Sequence, residues 1–179
     1  MSIMLDSDKQ EEEGFAIVYF SDDGFDLFAS NLNNMRLETI LTNYPSLMGI
    51  MQNQELEGLA TTKINKNQFL FAFALNVKNL DARDTRLKQK TLTIINFVVS
   101  REIHKEIMLY FDEFERYLED YFLPIVFIFD LYAIDFSKII PAFLSKQKEL
   151  ENIKSKQRED EYSLATEFTN WLSKAKFKE

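Results

Sequence analysis

The 179-residue chain contains no cysteine, one histidine, one tryptophan, three prolines and four glycines. Without cysteine there is no structural disulfide and no cysteine-ligated zinc, a composition that suits a reducing compartment. The glycines, Gly14, Gly24, Gly49 and Gly58, are scattered. No glycine-rich loop therefore exists to cradle a phosphate, and nucleotide hydrolysis by this chain is not expected. The lone histidine, His104, can form neither a multi-histidine metal site nor an evident Ser-His-Asp relay. It reads as a structural residue in the first turn of a helix, away from that helix's apolar stripe. Long hydrophobic runs are also missing. The most apolar stretch, Leu123 to Ala133, is too short to span a bilayer and carries Asp130, so no transmembrane segment is expected. Residues 1–13 are polar and acidic without the apolar core of a signal peptide, and read as a flexible leader.

What is present is a large apolar content: 46% hydrophobic residues, 17 of the 179 being phenylalanine. This is enough for a sizeable core and excludes a disordered chain. The net charge of −8 is unevenly placed. Residues 1–144 hold 13 basic against 22 acidic side chains, whereas residues 145–179 hold 8 against 7. An acidic body argues against nucleic acid, whose binding requires clustered cations, and against electrostatic adhesion to anionic lipid.

Five strands are legible. Phe15–Phe20 (FAIVYF) is apolar at alternate positions of both phases, the pattern of a strand buried on both faces. Ser21-Asp22-Asp23-Gly24 supplies a hairpin turn. In Phe25 to Ser30, Phe25, Leu27 and Ala29 alternate with Asp26, Phe28 and Ser30, which suggests an edge strand. Asn31 to Gln54 carries a helical stripe interrupted by Pro45, with one helix, two helices or a strand at Leu37–Leu41 all open. Gly58–Ile64 is short and polar, again edge-like. Phe69–Val77 (FLFAFALNV) and Thr91–Val99 (TLTIINFVV) are apolar on both faces and flank the charged loop Lys78 to Lys90. Ser100 then stands as an N-cap for one uninterrupted amphipathic helix, Arg101 to Phe122. Its apolar residues recur at spacings of three and four, and Pro124 marks its end.

Hairpin neighbours must pair, and the two polar strands belong at the borders. The simplest solution is an α/β (α+β) fold: a five-stranded, mostly antiparallel sheet of order 2-1-5-4-3 with helices on both faces. The domain would occupy residues 14–123, followed by a C-terminal helical extension, 124–179. Within that extension, Ile125 to Phe143 has near-helical apolar spacing that Pro141 would interrupt. Lys146 to Glu161 mixes both charges, as in a solvated helix or linker.

The hairpin FAIVYFSDDGFDLFAS, the strands FLFAFALNV and TLTIINFVV and the helix REIHKEIMLYFDEFERYLEDYF together resemble the longin fold and, less closely, the related roadblock fold. The loop NLDARDTRLKQK is similar to that of the longin domains at the N-termini of DENN-type regulators. The resemblance implies a non-enzymatic, cytoplasmic protein-interaction module in small-GTPase regulation or membrane-trafficking machinery, peripheral to membranes only through a partner. The implied partners are a Ras-like small GTPase, another longin or roadblock domain, or a second copy in a homodimer. The alternative is a small-molecule-sensing α/β domain with an apolar pocket. No acid–base pair or nucleophile stands out, so no catalytic, cofactor or metal residue is expected. Candidate partner contacts are Arg83, Asp84 and Arg86 in the charged loop, with Arg83 or Arg86 able to meet a carboxylate or phosphate. Phe168, Trp171 and Leu172 form a second candidate, an apolar cluster on a terminal helix.

Overall fold

The computed structural model describes residues 13–33 and 58–175, with side chains through 169. Five antiparallel strands, β1 (Gly14–Ser21), β2 (Gly24–Ser30), β3 (Gly58–Lys63), β4 (Gln68–Val77) and β5 (Thr91–Ser100), form one sheet of order β2-β1-β5-β4-β3. The strands that are apolar in both phases lie inside it, and the two polar ones are its borders, as expected. β1 departs in one respect. Ala16, Ile17 and Val18 are buried, but Phe20 is 42% exposed because the hairpin end projects beyond the core.

Alternation sorts the side chains of the sheet onto two faces. On one face Phe69, Phe71 and Phe73 of β4 meet His104, Phe114 and Phe122 from the following helices. On the other, Leu70, Ala72 and Ala74 cluster with Ala16, Val18, Ile94 and Val98. Buried Asn96, paired with Ala16 and Ala72, lies on this second face and donates its Nδ2 to the carbonyls of Ala16 and Ile94. The segment Asn31–Gln54, for which one helix, two helices or a strand at Leu37–Leu41 were open, lies from residue 34 onward outside the described residues.

The alternation expected in β2 is overturned after Leu27. A bulge lets Leu27 pair with Val18 but Ala29 with Ile17, so one extra residue, Phe28, intervenes. Phe25 and Leu27 share a face with Ser30 rather than Ala29. Asp26 shares the opposite, helix-side face with Ala29, and Phe28 meets Tyr19 there.

The helix expected to run unbroken from Arg101 to Phe122 is two: α2 (Arg101–Met108) and α3 (Phe111–Phe122). Ser100 caps the first as expected, its Oγ 3.5 Å from the Ile103 nitrogen. At the break the Leu109 and Tyr110 N–H groups donate three residues back, to Glu106 and Ile107, tightening the last turn. Tyr110 then leaves helical geometry (φ −134°, ψ 38°), and its carbonyl starts α3 by accepting the Phe114 N–H at 2.8 Å. No proline or glycine causes this. The break keeps α2 on β4 and β5 while α3 reaches β3, burying Ile107 and Phe114 and leaving Leu109 76% exposed.

A short 3-10 segment, Ile128–Ala133, follows Pro124. The Asp130 carboxylate accepts the Val126 and Phe127 N–H groups at 3.0 and 2.8 Å. Lys78, just past β4, donates to the Val126 carbonyl and accepts from the Ile128 N–H, tying the segment to the sheet. Phe136 lies against Phe15 and Phe122. The first compact unit therefore extends to Ser137, past the expected boundary at residue 123.

The second unit, from Lys138, is dominated by α4 (Ile139–Ala175), a single helix of 37 residues, about 55 Å long at about 1.5 Å per residue. Pro141 does not interrupt it. It falls in the first turn, where its missing N–H has no intrahelical acceptor to lose. The side chains described from Ser145 to Thr169 are exposed, apart from half-buried Gln147. No helix among the described residues is long and apolar enough to cross a membrane.

Candidate functional site

The charged loop after β4 is folded rather than loose. It contains a short helix, α1 (Thr85–Gln89), whose N-cap Asp84 accepts the Arg86 N–H at 2.8 Å. Asp22, at the tip of the β1–β2 hairpin, accepts the backbone N–H groups of Arg83 and Asp84, both at 2.8 Å. The Arg83 guanidinium lies 3.0 Å from Asp23 and 3.6 Å from Asp22, and Arg86 pairs with Asp84 at 2.6 Å. The two backbone N–H groups hold the Asp22 carboxyl below its ordinary range, and the Arg86 side chain does the same for Asp84. Arg83 and Asp84 thus bolt the loop to the hairpin, and Arg86 closes on Asp84 within the loop. Both arginines already have carboxylate partners, which is not the arrangement of cations open to an incoming anion.

Beside this bolt lies a concavity of about 280 Å³. Its apolar wall is a chain of aromatic contacts: Tyr19 edge-on to Phe28 at 6.4 Å, Phe28 against Tyr132 at 4.5 Å, and Tyr132 stacked with Phe129 at 6.4 Å. Its polar wall is Asp22, Asp23, Asp26 and Asp81. Burial, reinforced by the negative charge of Asp26 and by Tyr132, raises the Tyr19 hydroxyl above its ordinary pKa. Asp26 and Asp81 form no ion pair among the described residues. Asn79, only 7% exposed, also lines the space; its Oδ1 accepts the Asp81 N–H at 3.3 Å, and its Nδ2 has no hydrogen-bond partner among the described residues. An acidic, aromatic concavity of this kind differs from the apolar pocket expected of a small-molecule sensor. Of its wall residues, sequence reasoning singled out only the acidic turn, and that as a hairpin signal. The dense carboxylates of SDDGFD were the available clue; Phe129 and Tyr132 lie about a hundred residues away.

His104 is placed differently from expectation. It packs on the sheet rather than away from it, stacked on Phe69 at 3.9 Å and near Phe71 at 5.2 Å. Its Nε2 lies 3.3 Å from Thr61 Oγ1, which already donates to the Leu70 carbonyl at 3.0 Å. A hydroxyl has one proton, so with that proton given to Leu70 the contact is made by an Nε2–H donor. Burial lowers the His104 pKa. Nearby, the Glu115 Oε1 accepts the Leu59 N–H at 2.9 Å, so α3 covers part of the β3 edge. No group of three or more His, Asp or Glu side chains among the described residues converges to hold a metal ion. Of the terminal cluster, Phe168 is 61% exposed on α4, and the side chains of Trp171 and Leu172 lie outside those described. No protein-family model, curated protein or solved structure matches this chain.

Proposed function

We propose that the chain is a non-enzymatic protein-interaction module of the longin type, acting in small-GTPase regulation or membrane-trafficking machinery on the cytoplasmic side of membranes. The sheet order and the helices following β5 are consistent with the resemblance noted in the sequence. The observation that carries the interaction role is the surface around the concavity, where Phe129 and Tyr132 (69% exposed) stand in solvent beside four carboxylates, next to exposed Leu80 of the same loop as Asp81. Apolar side chains gathered at one end of a sheet and rimmed by charge fit a protein partner better than bulk water. The partner classes are a Ras-like GTPase or another longin or roadblock domain, a second copy included.

Titration of the full chain against a panel of Ras-like GTPases, each loaded with GDP and with a non-hydrolysable GTP analogue, tests the role. Binding that favours one nucleotide state and is weakened by Tyr132→Glu is the expected result. Absence of binding in both states across the panel, together with a monomer by light scattering, would refute it.

A further inference from the structure

We infer that the concavity between the β1–β2 hairpin, the loop after β4 and the 3-10 segment receives an arginine side chain of a protein partner; this rests on the interaction role above and names the chemistry it recognises. Three features of the site converge on a guanidinium. Asp26 and Asp81 are lining carboxylates without an ion pair among the described residues. Tyr19, Phe28 and Tyr132 offer ring surfaces, on which a planar, weakly hydrated cation stacks better than a compact ammonium. The same acidic turn already holds one guanidinium: Arg83 lies 3.0 and 3.6 Å from Asp23 and Asp22.

Asn79, 7% exposed, lines the same space and shapes its floor, its Oδ1 accepting the Asp81 N–H at 3.3 Å. The volume of about 280 Å³ lies just below the range for drug-sized ligands and suits a single side chain. A metal ion is the poorer fit, since no three ligating side chains among the described residues converge. The surplus of acidic residues in 1–144 would steer a basic partner segment toward this end of the domain.

The test uses the full chain labelled with ¹⁵N and a blocked five-residue peptide, Gly-Ser-Arg-Ser-Gly, with citrulline and lysine versions as competitors. Arginine should bind about tenfold more tightly than its neutral isostere citrulline, the scale of a partly desolvated cation–aromatic contact. Shifts should centre on the amides of Asp26, Phe28, Asn79 and Asp81, weaken with salt, and be lost in Asp26→Asn, whose folded spectrum is otherwise retained. Glu159→Gln on α4 serves as the control and should leave binding unchanged. Equal binding of citrulline, equal binding of lysine, or shifts elsewhere each overturn the assignment. A negative result here combined with nucleotide-dependent GTPase binding would refute only the arginine pocket; failure of both would remove the interaction role as well.

Discussion

The seat of α3 on the sheet can be tested by removing one ring. Phe114 is fully buried and meets Phe71 edge-to-face with ring centroids 5.6 Å apart. Truncation to alanine at such a site costs about 3–5 kcal/mol, combining lost transfer energy with the cavity left behind. Against a total stability of about 5–15 kcal/mol this is a large fraction. At about 2–4 °C per kcal/mol it corresponds to a midpoint lower by roughly 6–20 °C. Because α4 is largely exposed, its fraying and the melting of the sheet unit need not coincide. The chain's single tryptophan, Trp171, belongs to α4, so its fluorescence follows the wrong unit. Near-UV circular dichroism of the tyrosines and phenylalanines, with urea as denaturant, follows the right one. A cycle with Phe71→Ala should show a coupling of about 0.5–1.5 kcal/mol for the edge-to-face pair. If Phe114→Ala proves too unstable to purify, Phe114→Leu should still lose about 1 kcal/mol or somewhat more. A loss below about 1 kcal/mol for the alanine variant, or strict additivity with Phe71→Ala, would mean that α3 does not rest on β4 as described.

Three further outcomes follow from individual contacts. Asp22 has a depressed folded pKa, so its contribution is present above the ordinary carboxylate value of 3.8 and lost as pH falls through the lowered one. Amide exchange at Arg83 and Asp84 should therefore accelerate below that range, and in Asp22→Asn at neutral pH; unchanged protection in the variant would contradict the bolt. His104 should titrate below 6.5, because imidazolium is penalised between the sheet and α2. Its contribution is present above 6.5 and lost as pH falls through the lowered value, a step that His104→Phe should abolish and that the ring resonances of a lone histidine report directly. Gly58→Ala should destabilise more than Gly24→Ala. Both glycines have positive φ (112° and 123°), worth about 1–2 kcal/mol of strain each. Only at Gly58 would the new Cβ also lie 2.9 Å from the Glu115 carboxylate, so chemical denaturation of the two variants separates strain from collision.

The order of the strands was readable because burial in a sheet has period two, and FLFAFALNV and TLTIINFVV are apolar in both phases where the border strands are not. The break at Tyr110 was not readable. The apolar stripe keeps its three-and-four spacing straight through it, without proline or glycine, and the two halves part only where they meet different strands of the sheet. The bulge at Phe28 is equally silent, since register belongs to the pair of strands and not to either one. Pro141 misled for another reason: a proline breaks a helix interior but is tolerated in a first turn, and Ile125–Phe143 concealed where that turn begins. The arginines of the charged loop were visible as candidate contacts, but the satisfaction of Arg83 was not, because Asp22 and Asp23 reach it from about sixty residues away, whereas Arg86 pairs locally with Asp84.

The same facts explain why the concavity escapes a linear reading and yet is well held. Its walls come from three segments, each with polar fastenings of its own, to which the 3-10 segment adds the buried side chains of Ile128 and Leu131. Asp22 ties the hairpin to the loop that carries Asn79 and Asp81. The Lys78 backbone and the Asp130 carboxylate fix the 3-10 segment that presents Phe129 and Tyr132. The bulge after Leu27 leaves Asp26 and Phe28 on the side of Tyr19 while returning Ser30 to the opposite face. Fastenings made of exposed carboxylates and backbone amides contribute little to global stability, but they decide local geometry. Core and site should therefore respond independently. Phe114→Ala lowers the melting temperature with the concavity intact in the surviving folded fraction, whereas Asp130→Asn should loosen the aromatic wall, visible as altered Phe129 and Tyr132 ring shifts, with little change in midpoint. A variant at Asp130 that unfolds the sheet would show that this carboxylate holds the core contacts of Ile128 and Leu131 as well as the aromatic wall.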